Sequence, residues 1–180
     1  MLQMPYYSES DIQIIYGTED SAGLDLPIWD KRLIRPEGMT DEEFETWGPS
    51  KEDMVAGTIT LEPMGRFIVK TGVYMAIPKG YFGSLDTRSS TSKIAQDLLC
   101  HTIDADYRGN IRLAVINLNT EPVTLRNGQA IAQIIIQKYE KVKPEQQTSL
   151  EEFLVAAGQT ARGANGWGHT GRNLLPKEGE

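Results

Sequence analysis

The chain has 180 residues, of which 39% are hydrophobic and 24% charged, with a formal net charge of −7; one domain of this length buries roughly 70% of its unfolded surface in a single core. The acidic balance argues against broad binding to nucleic acid, whose phosphates need a basic face, and no apolar run approaches bilayer length, so no membrane role is expected. A single cysteine, Cys100, rules out an internal disulfide, and residues 1–10 lack a basic patch followed by an apolar core, so a reducing, cytoplasmic setting is expected.

In chain order, strand-like runs fall at 12–16, 58–61, 66–77, 81–85, 111–118, 122–125 and 130–139. Residues 30–56 interrupt this rhythm with charges, Pro36, Gly38, Gly48 and Pro49, and read as an inserted loop. Inside it, Thr40-Asp41-Glu42-Glu43 ahead of Phe44 is a capping-box pattern that predicts a short helix. Turn signals at 63–65, 78–80 and 126–128 predict strand pairing across each turn. Helical turns are further expected at 91–97 and at 150–157, the latter begun by Ser149 and ended by Gly158. The pattern is all-β, a sandwich or jelly roll with one or two short helices. The expected organisation is a β domain over 1–161 and a Gly-rich arm over 162–180.

The arm segment Arg162-Gly163-Ala164-Asn165-Gly166-Trp167-Gly168-His169-Thr170-Gly171 has the chemistry of a nucleotide clasp. Glycine backbone N–H groups can wrap phosphate oxygens, a guanidinium can grip two at once, and an indole can lie on a base. Alone, such a segment reads as a linker. Hydrolysis of a phosphoanhydride also needs a base to orient water, a cation to offset charge, and donors that follow charge into the transition state. Asp104, Mg²⁺ and Arg88 with Arg162 supply that set, although Asp104 by itself also fits a turn carboxylate.

Five segments, Ala22-Gly23-Leu24-Asp25-Leu26, Thr87-Arg88-Ser89-Ser90, Ile103-Asp104-Ala105-Asp106-Tyr107-Arg108-Gly109, Gly128-Gln129-Ala130-Ile131-Ala132-Gln133 and Arg162 to Gly171, resemble in order the five motifs of the trimeric dUTP pyrophosphatase (dUTPase) family. The resemblance implies a distorted jelly-roll (β-clip) subunit with a swapped C-terminal arm in a homotrimer. It also implies Mg²⁺-dependent hydrolysis of dUTP to dUMP and pyrophosphate, which limits uracil in DNA and supplies dUMP for thymidylate synthesis. Asp104 then positions the water that attacks the α-phosphorus, with Gln133 and Arg88 as its catalytic companions. Tyr107 packs under the deoxyribose and excludes a 2′-hydroxyl, Ser89 and Ser90 meet phosphates, and His101 and Ile103 belong to the hairpin that reads uracil. Arg162 clamps the terminal phosphates, Gly163, Gly166, Gly168 and Thr170 contact phosphates, and Trp167 stacks on the base. Asp25 helps the metal only through water, since Mg²⁺ keeps phosphate and water ligands. In the resembling family motifs one, two and four come from one chain, motif three from a second and the arm from a third.

Some positions depart from the family pattern. His101 stands where the family has glycine, and either reshapes the base pocket or faces a neighbouring strand. Ala130, Ser90, Asn165 and His169 replace other residues without removing a reactive group. Arg88-Ser89-Ser90 and His101-Thr102-Ile103-Asp104 also resemble the related dCTP deaminases, which share the fold, but their catalytic glutamate position is Ala114 here. A broadened dNTP pyrophosphatase of the same fold is a related alternative. A third reading is a dUTP-sensing protein that binds a protein partner through the 30–56 insert, using exposed Trp29, Phe44 and Trp47.

Overall fold

The computed structural model describes residues 2–165. Its chain divides into two compact units, Met1–Glu140 and Lys141–Glu180. The first unit is β-rich. Its strands are β1 (Tyr6–Ser8), β2 (Leu24–Pro27), β3 (Thr58–Leu61), β4 (Arg66–Lys70), β5 (Val73–Met75), β6 (Tyr81–Thr87), β7 (Gln96–Leu98), β8 (Thr102–Ile103), β9 (Arg112–Asn117), β10 (Val123–Arg126) and β11 (Ala130–Lys138). They form a four-stranded sheet of order β2-β11-β6-β8, a three-stranded sheet β4-β9-β7, and two ribbons, β1-β5 and β10-β3.

Among the described residues every ladder is antiparallel and none joins strands adjacent in sequence. The expected pairing across the turns at 63–65, 78–80 and 126–128 is therefore overturned. β3 pairs with β10 rather than β4, β5 with β1 rather than β6, and β11 with β2 and β6 rather than β10. Each turn hands the chain to another sheet, as in a jelly roll. The run at 66–77 is likewise two strands, broken where buried Thr71 donates through Oγ1 to the Ile111 carbonyl (2.9 Å) and its N–H meets Asn110 Oδ1 (3.2 Å). Residues 12–16 form no strand, only an isolated bridge between Tyr16 and Leu24.

Strand alternation explains the core. Along β2, β11 and β6, the residues Leu26, Ala132, Ile134 and Leu85 are fully buried, while the intervening Asp25, Gln133 and Asp86 occupy the other face. Leu113, Val115, Val69 and Val73 complete the same core from the three-stranded sheet and its ribbon.

The insert is more ordered than a loop. A 3-10 turn (Lys31–Ile34) precedes α1 (Asp41–Thr46) and α2 (Lys51–Ala56), and each α-helix carries a full capping box, Thr40 with Glu43 and Ser50 with Asp53. Asp30 anchors the start of the insert. It is fully buried, accepts from Arg32 Nε at 2.9 Å and from the Lys70 N–H at 3.0 Å, and its own N–H donates to Asn127 Oδ1 at 2.9 Å. Asn127 Nδ2 also donates to the Met54 carbonyl at 2.8 Å, so one amide holds both ends of the insert. The expectation of exposed aromatics fails here. Trp29 and Phe44 are 8% and 7% exposed, and Trp47 is half-buried against Phe44 with ring centroids 6.1 Å apart.

In the second unit, α4 (Leu150–Ala157) begins at Ser149, whose Oγ accepts the Glu152 N–H at 3.1 Å, and stops at Gly158. The expected helix at 91–97 is instead α3 (Ser89–Lys93), ended by Ala95 with φ 54 before β7 begins. Among the described residues no helix is long and apolar enough to cross a membrane.

Candidate active site

β2, β11 and β6 run side by side, and their register sets Asp25, Gln133 and Asp86 directly opposite one another on one sheet face. At the end of β6 the chain turns into α3, which places Arg88, Ser89 and Ser90 beside that row. A cleft of about 290 Å³ results, lined by Gly17, Ser21, Gly23, Asp25, Arg88, Ser89, Ser90 and Gln133. Asp25 Oδ1 accepts from Arg88 Nε at 2.9 Å, and Arg88 Nη1 donates to the Ala130 carbonyl at 3.1 Å. The guanidinium is thus oriented from two sides while remaining partly open to solvent. Gln133 Nε2 reaches the Thr87 carbonyl at 3.4 Å.

Gly23 is needed where β2 passes Gln133, since a methyl group there would lie 2.5 Å from Gln133 Oε1. Sequence reasoning placed Gly23 in a motif but missed Gly17 and Ser21, which come from the irregular stretch before β2. Ser21 Oγ accepts the Thr18 N–H at 2.9 Å, a short-range turn bond with no periodic signature.

Asp104 is not in this cleft. β8 runs antiparallel to β6 with Gly83 opposite Ile103 and Ser84 opposite Thr102. Asp104 therefore follows on toward Phe82, at the far end of β6 from Arg88, roughly 20 Å away at about 3.3 Å per residue. Tyr107 shares the Asp104 turn, its N–H bonding to the Asp104 carbonyl at 3.2 Å. Its ring lies over Gly109 and its hydroxyl donates to the Asn110 carbonyl at 2.9 Å, with 39% of the residue exposed. A buried core tyrosine is thereby excluded. His101 bonds through Nδ1 to the Leu85 carbonyl at 2.9 Å, so in this chain its ring turns toward β6.

In the second unit, Arg162 is exposed and donates through Nε to the Asn165 carbonyl at 2.8 Å, while the Gly163 N–H meets Thr160 Oγ1 at 3.0 Å. Gly166, Trp167, Gly168 and Thr170 lie outside the described residues.

A strand-end arginine and two serines, flanked by a carboxylate and an amide on a jelly-roll sheet, give this β protein a cleft furnished with hydrogen-bond donors suited to an anion. The dUTPase family model matches residues 54–171. Deoxyuridine 5'-triphosphate nucleotidohydrolase of Finegoldia magna is 38% identical over 135 residues, 72% of this chain and 90% of that protein. The protein of the same name from Fusobacterium nucleatum is 33% identical over 147 residues, 78% of this chain and 96% of the relative. Among solved structures, Staphylococcus bacteriophage 80alpha dUTPase with dUPNHPP is similar at TM-score 0.65 and 20% identity, covering 93% of this chain and 98% of that one. The chain belongs to the dUTPase family.

Proposed function

We propose that the chain hydrolyses dUTP to dUMP and pyrophosphate by attack of water at the α-phosphorus, and that its sites are completed between copies of a homotrimer in the cytoplasm. The observation that carries the reading is the split of the motif residues. Asp25, Arg88, Ser89, Ser90 and Gln133 line one cleft, while Asp104 and Tyr107 lie at the other end of β6. One chain cannot bring both groups to one nucleotide, but two copies can.

In this reading, Arg88, Ser89 and Ser90 donate to the phosphate chain, and Asp25 keeps the Arg88 guanidinium aimed at it. Gln133 holds the water or the α-phosphate. Asp104 of a neighbouring copy orients the water and accepts its proton as the new oxygen–phosphorus bond forms and the bond to the β-phosphate oxygen breaks. Negative charge gathers on the departing pyrophosphate, where Arg162 and Arg88 meet it. Tyr107 fills the space a ribose 2′-hydroxyl needs, Ile103 flanks the base, and Trp167 covers it.

The residues present suit Mg²⁺ carried in by the substrate. Asp25 is already engaged with Arg88, and no group of three or more metal-type ligands occurs among the described residues, so a water-mediated contact fits better than a protein cage. When bound, Mg²⁺ neutralises phosphate charge. A structural Mg(II) ion is known for the dUTPase of phage phi11 of S. aureus.

A protein partner at the 30–56 insert would meet an acidic helical surface rather than an aromatic one, since Trp29 and Phe44 are buried. Pyrophosphate release from dUTP, dTTP, dCTP and UTP tests the main reading. Turnover is expected for dUTP and lost by orders of magnitude in Asp104→Asn; equal rates on all four nucleotides or an unaffected variant would refute it.

A further inference from the structure

We propose that His101 is a positioning residue for Asp104, and that its imidazole stands in for a missing backbone hydrogen bond of β8. The inference rests on the assignment of Asp104 as the water-orienting carboxylate. β8 has only two residues and forms the edge of the four-stranded sheet, so its ladder alone is a weak support for the loop it launches. Its register with β6 makes Leu85 and His101 the next opposed pair after Ser84 and Thr102.

In an antiparallel ladder such a pair exchanges two backbone bonds. Here the Leu85 N–H donates to the His101 carbonyl at 2.8 Å, and the bond to the Leu85 carbonyl comes from His101 Nδ1 at 2.9 Å. Leu85 is fully buried, so the carbonyl that receives the imidazole belongs to a rigid point of the core. The side chain thereby extends β8 by one pair at the end remote from Asp104 and fixes the strand that delivers Asp104 three residues later. A glycine at this position has no side-chain donor to offer.

A carbonyl cannot donate, so Nδ1 must carry hydrogen, and the neutral ring is held as the Nδ1–H tautomer with Nε2 unprotonated. Free histidine favours the opposite tautomer, which gives the arrangement a spectroscopic signature. An asparagine amide can place its N–H close to the Nδ1 position, whereas alanine offers no donor and a glutamine amide extends too far.

The test uses the full chain labelled with ¹⁵N-histidine and long-range ¹H–¹⁵N spectra recorded at alkaline pH. His101 is expected to show a protonated Nδ1, and a protonated Nε2 would overturn the proposal whatever the substrate is. Steady-state kinetics on dUTP then compare variants. His101→Asn is expected to keep kcat within about two-fold, while His101→Ala and His101→Gln lower it roughly ten-fold with KM little changed. Equal losses in His101→Asn and His101→Ala, or a loss confined to KM, would overturn it. Failure of the dUTPase reading itself appears separately, as wild-type inactivity with the tautomer still in place.

Discussion

Asp25 Oδ1 and Arg88 Nε are 2.9 Å apart, a carboxylate from β2 meeting a guanidinium that follows β6, with Gln133 of β11 between their strands. The two side chains are 23% and 37% exposed, so water screens the pair and its worth to folding is small. What the contact provides is aim. Arg88 is held by Asp25 on one edge and by the Ala130 carbonyl on the other, a preorganised donor for an anion that arrives later.

Arg88→Ala should therefore separate activity from stability. The value of kcat/KM on dUTP is expected to fall by roughly 10²- to 10³-fold, while unfolding free energy changes by less than about 1 kcal/mol. Urea titration alongside pyrophosphate-release kinetics measures both. A loss of several kcal/mol with activity preserved would assign the pair to the scaffold instead.

Gly109→Ala should loosen sugar selection. A Cβ at this position would lie 2.6 Å from Tyr107 Cζ, forcing the ring off the turn that its hydroxyl closes on the Asn110 carbonyl. The ratio of kcat/KM for dUTP over UTP is expected to drop about ten-fold, mainly through faster UTP turnover. An unchanged ratio would detach Tyr107 from discrimination.

Asp30 gives the acid limb of stability. Burial pushes its carboxyl upward, but hydrogen bonds from Arg32 and from the Lys70 and Arg32 N–H groups, with the Arg32 charge, outweigh this and hold it below the ordinary carboxylate range. The folded-state value lies under the unfolded one of about 3.9, so the stabilisation is complete above that pH and fades as pH falls through the folded value. Asp30→Ala should cost about 2 kcal/mol at pH 7, where Arg32 and the Lys70 N–H lose their acceptor, and the cost should shrink below about pH 4. Chemical denaturation from pH 7 to pH 3 reads the difference, and a pH-independent gap between the two proteins would refute the linkage.

Sequence periodicity was a good guide where one strand does one job. The runs at 58–61, 81–85, 111–118, 122–125 and 130–139 each overlap a strand, because alternation or β-branched density survives in them. Pairing partners were not legible, since turn residues at 78–80 report a change of direction and not the sheet that receives the next strand. β1, β7 and β8 escaped notice because they span two or three residues, too few for a period of two to show. The second insert helix was missed because Asp53 closes its capping box in place of the usual glutamate. At the site, Arg88, Gln133 and Asp25 were legible as motif residues, yet their ladder neighbourhood depends on β11 lying between β2 and β6, a long-range fact. His101 was visible as an oddity, and its bond to Leu85 came only from the register of β8 on β6.

Mixing two inactive variants tests the shared site most directly. Asp104→Asn and Arg88→Ala chains, unfolded together at equal ratio and refolded, are expected to recover about a quarter of wild-type activity on dUTP, because random assembly returns an intact Asp104 and an intact Arg88 to that share of sites formed between copies. Each variant refolded alone should stay inactive. If the mixture is as inactive as its components although the chains have co-assembled, both groups act within one chain and the proposed site is wrong.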